Sequence, residues 1–187
     1  LLNLFISKLI VKNYYFSRTI HFIYKNYKKY FYNKICNFNE VFYPQDQFID
    51  LNKIYGSKGF YQIQFIIPKN KFKKILAEIA TFFEKKKLFS PFVVIKKFDE
   101  KGKYLNYCGS GYSISFDFQI NKRFKNIKFF FNSIIHKNKL KVNFSKDLLV
   151  DKINASHYPE FKLFKKEISL LNSKKKINSL FSKRLNI

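Results

Sequence analysis

The chain has 187 residues, 47% of them hydrophobic, enough to bury one core and too many for an intrinsically disordered polypeptide. Its 37 Lys and Arg face only 12 Asp and Glu, a formal net charge of +25 that points to anionic partners: nucleic acid, an anionic membrane face or a phosphorylated ligand. Cys36 and Cys108 stand far apart with no CxxC partner, which supports neither a cysteine zinc site nor a disulfide framework and reads as two reduced thiols.

Lys, Asn, Ile, Phe and Tyr crowd the chain, and Met and Trp are absent. Codons for the crowded set are rich in A and T, so drift in base composition loads lysine onto any exposed surface, whatever the function. The first residue is Leu1 rather than Met, and the chain reads as a fragment or as the second half of a longer polypeptide. The opening "LLNLFISKLIVKNYYF" is broken by Lys8 and Lys12 and is too short and interrupted to span a bilayer or serve as a signal peptide. Residues 1–41 form a basic, aromatic, helical lead-in. Ile20, Ile23, Tyr24 and Tyr27 recur at helical spacing, predicting a helix that packs this stripe on the body; the alternative is a nucleic-acid or membrane-surface patch.

From residue 42 the pattern changes. "YPQDQFIDLNKIYGSKG" reads as a loop leading to the strand "FYQIQFIIP". Tyr61, Ile63, Phe65 and Ile67 share one face of that strand; Gln62 and Gln64 share the other. A helix follows over "NKFKKILAEIATFFEKKK", with Phe72, Ile75, Leu76, Ile79, Phe82 and Phe83 on one stripe. "SPFVVIKKF" is a β-branched strand in which Val94, Lys96 and Phe98 share a face. "GYSISFDFQI" alternates cleanly, Tyr112, Ile114, Phe116, Phe118 and Ile120 against Ser113, Ser115, Asp117 and Gln119. A helix with Phe124, Ile127, Phe131, Ile134 and Ile135 inward leads to the strand "KLKVNF", which delivers Lys146; helical segments close the chain.

Strand, helix, two strands, helix, strand predicts an α+β domain: one mainly antiparallel sheet with helices on one face. The other face collects Gln62, Gln64, Ser113, Ser115, Asp117 and Asn143, where solvent-facing positions elsewhere carry lysine. Such a face suits a cavity or a second domain. No GxGxxG, Walker loop, HExxH or close His/Cys/Asp cluster appears, and His21, His136 and His157 are scattered, so no self-contained catalytic motif is legible.

Residues 42–187 resemble the C-terminal, substrate-side part of FAD-linked oxidoreductases of the vanillyl-alcohol-oxidase type, and most of all the decaprenylphosphoryl-β-D-ribose 2-oxidase branch. The resemblance is carried in order by "FYPQDQFIDLNKIYG", "YQIQFIIP", "VVIKKF", "GYSISFDF", "FSKD", "HYP" and "SLFSKRLNI". It implies that the polar sheet face looks at flavin and substrate, with most of the FAD held by an N-terminal FAD-binding domain, fused upstream or separate. By the resemblance Lys146 is the catalytic pocket lysine, beside the reacting sugar carbon and the flavin, and Lys96 is a second lysine at the flavin end. Gln62 and Gln64 correspond to ligand-binding amides, and Asn52, Tyr55 and Phe98 to pocket-lining positions. Three departures bear on substrate. The family's tryptophan is Leu51 here, its strand cysteine is Ser115 and its pocket tyrosine is Asn143, so thiol-directed inhibitors of the family should not bond covalently at Ser115.

The activity implied is oxidation of an alcohol carbon on a polyprenyl-phosphoryl sugar by hydride transfer to FAD. The implied partners are the FAD-binding domain, the lipid-phosphate substrate, an anionic membrane surface and a reductase acting on the keto product, in a cytoplasmic or peripheral-membrane setting. Two rivals are a ribosomal-type nucleic-acid-binding protein from an AT-rich genome and a nonfunctional remnant of a broken gene. The first leaves the ordered motifs unexplained; the second sits poorly with alternation kept intact to the last strand.

Overall fold

The computed structural model describes residues 13–30, 35–39, 55–100, 102–146, 149, 151–173, 176 and 178–187. Helix α1 (Tyr14–Tyr30) starts where the Asn13 side chain accepts from the backbone N–H of Tyr15 (3.0 Å) and of Phe16 (3.1 Å), satisfying donors that lack a partner in the first turn. Strand β1 (Phe60–Pro68) passes through a 3-10 turn, Lys69–Lys71, into α2 (Phe72–Lys86). Then come β2 (Val93–Asp99), β3 (Ser110–Gln119), α3 (Phe124–Asn138) and the short β4 (Lys141–Val142). Three short helices follow: α4 (Lys152–Ser156), α5 (Phe161–Leu171) and α6 (Leu180–Leu185).

The four strands form one antiparallel sheet in the order β2-β3-β1-β4. The fold class read from the pattern is the one observed. Ile63, Phe65 and Ile67 from β1 and Ile114, Phe116 and Phe118 from β3 are buried on one face, against Ile75 and Ile79 of α2 and Ile127, Phe131, Ile134 and Ile135 of α3. Phe82 stacks on Phe130 with centroids 3.6 Å apart, joining the two helices, and Tyr61 stacks on Phe124 at 3.9 Å. Gly111 stands where β3 runs closest to the end of β1: a Cβ there would sit 2.2 Å from the Ile67 carbonyl oxygen, so no larger residue fits without parting the strands.

Two expectations are corrected. The strand expected over 139–144 pairs only at Lys141 and Val142. Asn143 still donates its backbone N–H to the Gln64 carbonyl (2.9 Å), but Phe144 leaves the sheet to stack on Tyr158 (centroids 4.8 Å apart), and a 3-10 turn, Phe144–Lys146, replaces the strand. The aromatic stripe of α1 was expected to pack on the body. Ser17 is buried and Phe16 and Ile20 are half-buried, but Ile23, Tyr24 and Tyr27 are 56%, 55% and 57% exposed. Helices α2 and α3 already fill the apolar sheet face, which leaves little apolar surface for a further stripe.

Candidate active site

The register of the sheet fixes which side chains share its polar face. Directly opposed residues of an antiparallel pair point the same way. One row runs Lys96, Ser113, Ile66, Lys141 across all four strands, and the next runs Val94, Ser115, Gln64 and on to Asn143. Asp117 stands opposite Gln62 one step further along. The face thus unites Gln62, Gln64, Lys96, Phe98, Ser115 and Asn143, brought together from residues far apart in the chain.

Two groups of hydrogen bonds cover this face, the first centred on Gln64. Tyr107 Oη and Ser113 Oγ are 2.8 Å apart, Gln64 Nε2 donates to Ser113 Oγ (3.0 Å), and Asn143 Nδ2 donates to Gln64 Oε1 (2.7 Å). Ser145 Oγ and its backbone N–H both donate to Asn143 Oδ1, at 2.8 and 3.0 Å. Each Gln64 polar group thereby has a partner, which locks its rotamer. Phe98 lies edge-on to Tyr107, 5.8 Å between centroids, an apolar border beside the network.

The second group has an acidic centre. Asp117 is 2% exposed; Gln62 Nε2 donates to its Oδ1 (2.7 Å) and Tyr55 Oη to its Oδ2 (3.1 Å). Its backbone N–H donates to Ser90 Oγ (3.0 Å). Burial pushes the Asp117 carboxyl above the usual carboxylate range, opposed by the hydrogen bonds from Gln62 and Tyr55 and by the charge of Lys146. Burial, reinforced by Asp117, likewise pushes the Tyr55 phenol up, so it stays protonated as the donor.

Lys146 lies on the turn after β4 rather than on a strand, and its charge acts on the Asp117 carboxyl. Its backbone N–H donates to the Asn143 carbonyl (3.1 Å), tying it to the residue that holds Gln64, and its side chain is exposed. Lys96 is exposed on the opposite edge strand. With three strand spacings between β2 and β4, the two edges are about 14 Å apart. Lys96 on β2 and Lys141 on β4 therefore border a floor of neutral amides and hydroxyls, with the buried Asp117 carboxyl beside Gln62 on the same face.

Among the candidate residues, Tyr55 is fully buried and reaches the face through its hydrogen bond to Asp117 and through Gln119, whose Nε2 donates to the Tyr55 carbonyl (2.8 Å). Asn52 lies outside the described residues. The sequence places Ser113 and Asp117 on the polar face without a site role and does not single out Tyr107. The signal for Asp117 was present: it is the single acidic residue of β3, on the polar side of the cleanest alternation in an acid-poor chain. Tyr107 comes from a loop and has no periodic signature. Among the described residues no group of three or more His, Cys, Asp or Glu could hold a metal ion.

Asp117 predicts a pH effect. A carboxyl whose folded-state pKa is raised contributes its full stability at pH below its unfolded value, and loses it as pH rises through the folded value. Stability should therefore decline above about pH 4, the ordinary carboxylate value, and level off once Asp117 is ionised. Asp117→Asn keeps an acceptor for Gln62 and removes this part of the slope, as urea unfolding at a series of pH values would report. Identical pH profiles for the two proteins would show that Asp117 is not held protonated by burial.

Fold and face together define an α+β domain that packs one side of its sheet and presents a polar, lysine-flanked network on the other. No family model matches the chain. Part of it is 37% identical over 67 residues to the decaprenylphosphoryl-beta-D-ribose oxidase of Mycolicibacterium smegmatis (strain ATCC 700084 / mc(2)155), a match covering 32% of this chain and 15% of that protein. The chain thus corresponds to a small fraction of that relative's length.

Proposed function

We propose that the chain is the substrate-side part of an FAD-dependent oxidoreductase that oxidises an alcohol carbon of a polyprenyl-phosphoryl sugar. The observation carrying this reading is that Gln62, Gln64, Lys96 and Asn143, selected by resemblance to such oxidases, share one face of one sheet, with Lys146 on the turn that follows β4. The partial likeness to an oxidase named for decaprenylphosphoryl-ribose supports the same class.

The donor set fits a flavin ring. A planar heterocycle with acceptor oxygens matches a flat sheet face bordered by ammonium groups, and Lys96 and Lys146 would hold it there. The described residues contain no glycine-rich phosphate loop, so the diphosphate and adenine would be held by an FAD-binding domain. When bound, FAD supplies the hydride acceptor. Lys146 stabilises negative charge developing on the substrate oxygen as its proton leaves to water. Gln62 and Gln64, immobilised by Asp117, Ser113 and Asn143, keep the floor rigid beneath the sugar. Asn143 and Ser115, smaller than the family's tyrosine and similar in bulk to its cysteine, favour a sugar differing in size or polarity from the family's own.

The test is to express the chain together with the coding sequence immediately upstream and follow flavin absorbance near about 450 nm. Bleaching on anaerobic addition of a polyprenyl-phosphoryl pentose is the expected result. A preparation that carries no flavin, or a flavin that no polyprenyl-phosphoryl sugar reduces, would refute the proposal.

A further inference from the structure

A hollow of about 420 Å³ lies away from the polar sheet face, where the start of α1 meets the ends of α2 and β3 and the start of α3. Its floor is apolar: Leu88, Phe118 and Ile127 are buried there. Its wall is aromatic. Tyr14 and Tyr15 stand edge to face with centroids 5.4 Å apart, Tyr14 half-buried and Tyr15 66% exposed. Its rim is cationic. The Lys87 ammonium lies 5.5 Å from the centroid of the Tyr14 ring and 5.6 Å from that of Tyr15, and Arg123 Nη1 donates to the Lys87 carbonyl (3.5 Å). No Asp or Glu is among the described residues that line the hollow. Lys87 takes its place from a left-handed backbone, φ 50, the region that favours glycine.

We infer that this hollow binds a mononucleotide, its base against the tyrosine rings and its phosphate between Lys87 and Arg123. The volume falls within the range of about 300–1,000 Å³ usual for small-ligand sites. Two cations on one rim with no carboxylate beside them repel each other, and a phosphate relieves that repulsion. The guanidinium spends one N–H on the Lys87 carbonyl and keeps further donors for phosphate oxygens, while the ammonium supplies a mobile point charge. The exposed Tyr15 ring offers a face for a heterocyclic base, over a floor that sheds water. A bare phosphate would leave the rings and the floor without a role, and a hollow of this size takes one nucleotide rather than a strand. None of Gln62, Gln64, Lys96, Asn143 and Lys146 lines it, so the inference does not rest on the flavin reading.

The experiment is titration calorimetry of the purified chain with AMP, UMP, adenosine and inorganic phosphate. At least one of the two nucleotides should bind about 10-fold or more tightly than either adenosine or phosphate, because each of these keeps only part of the contacts. Lys87→Gly suits the left-handed backbone, so the melting temperature should hold or rise while nucleotide affinity falls about 10-fold or more. Tyr15→Ala, at an exposed position, should weaken nucleotide binding by about 10-fold and leave phosphate binding unchanged. Nucleotides bound no more tightly than phosphate, or wild-type nucleotide affinity in either variant, overturn the inference. So does a single-stranded RNA oligonucleotide that binds the chain, fails to bind Lys87→Gly and is not displaced by AMP or UMP, because the hollow would then serve nucleic acid.

Discussion

Lys146→Ala is expected to lower the rate of flavin reduction by polyprenyl-phosphoryl sugar about 10²- to 10³-fold, the scale seen when one donor to a developing oxyanion is removed. The side chain is exposed and sits on a turn whose backbone bond to Asn143 does not depend on it. Stability should therefore change by no more than about 0.5 kcal/mol. A second readout is independent of turnover. The Lys146 charge opposes the upward shift of the Asp117 carboxyl, so its loss should raise that carboxyl further. An NMR titration of the Asp117 side-chain carbon would report this directly. Lys146→Arg retains the charge and should keep the Asp117 titration near wild type, while the broader guanidinium misplaces the donor and leaves turnover depressed. Turnover within a few-fold of wild type in Lys146→Ala would remove the lysine from the chemistry, even with the fold and the network intact.

Phe131→Ala should destabilise the fold by about 3–5 kcal/mol, a large share of the 5–15 kcal/mol that holds a typical domain together. Phe131 is 0% exposed at the centre of α3. Its ring lies 5.7 Å from Phe65, 5.4 Å from Phe116, 5.9 Å from Phe118 and 5.5 Å from Phe130, centroid to centroid. Aromatic rings are stiff, and those of Phe65 and Phe116 are held on paired strands, so they cannot collapse into the space left behind. The site would feel the loss. Phe65 precedes Ile66 and follows Gln64 on β1, and Phe116 lies between Ser115 and Asp117 on β3. Chemical denaturation would measure the effect; a loss under about 1 kcal/mol would mean that the aromatic cluster repacks freely.

Much of the architecture was legible in residue order because the signals were local. The alternation in "GYSISFDFQI" and "FYQIQFIIP" set which side chains face the core, and the 3.6-residue spacing of Ile127, Phe131 and Ile134 marked the inward stripe of α3. The same alternation assigned Gln62, Gln64, Ser115 and Asp117 to a common polar face before any register was known, since a strand offers only two sides. Resemblance to flavin-linked oxidoreductases then singled out Lys146 from 37 basic residues, a choice composition could not make.

Other features depended on contacts between distant segments. The strand before Lys146 ends where the Phe144 ring packs on Tyr158 and Phe181, contacts between distant segments that the local alternation does not record. The exposure of the α1 stripe depended on α2 and α3 having already filled the apolar side of the sheet, a competition for area that no helical periodicity records. Pairing of Asp117 with Gln62 and Tyr55 required the β1–β3 register, and the insertion of Tyr107 beside Ser113 required a loop to fold back over β3. Sequence by itself determined the polarity of each strand and helix face, because that property is carried by residue spacing along one segment. Tertiary structure alone decided which polar groups meet, because hydrogen-bond partnership depends on the alignment of segments that the chain order leaves free.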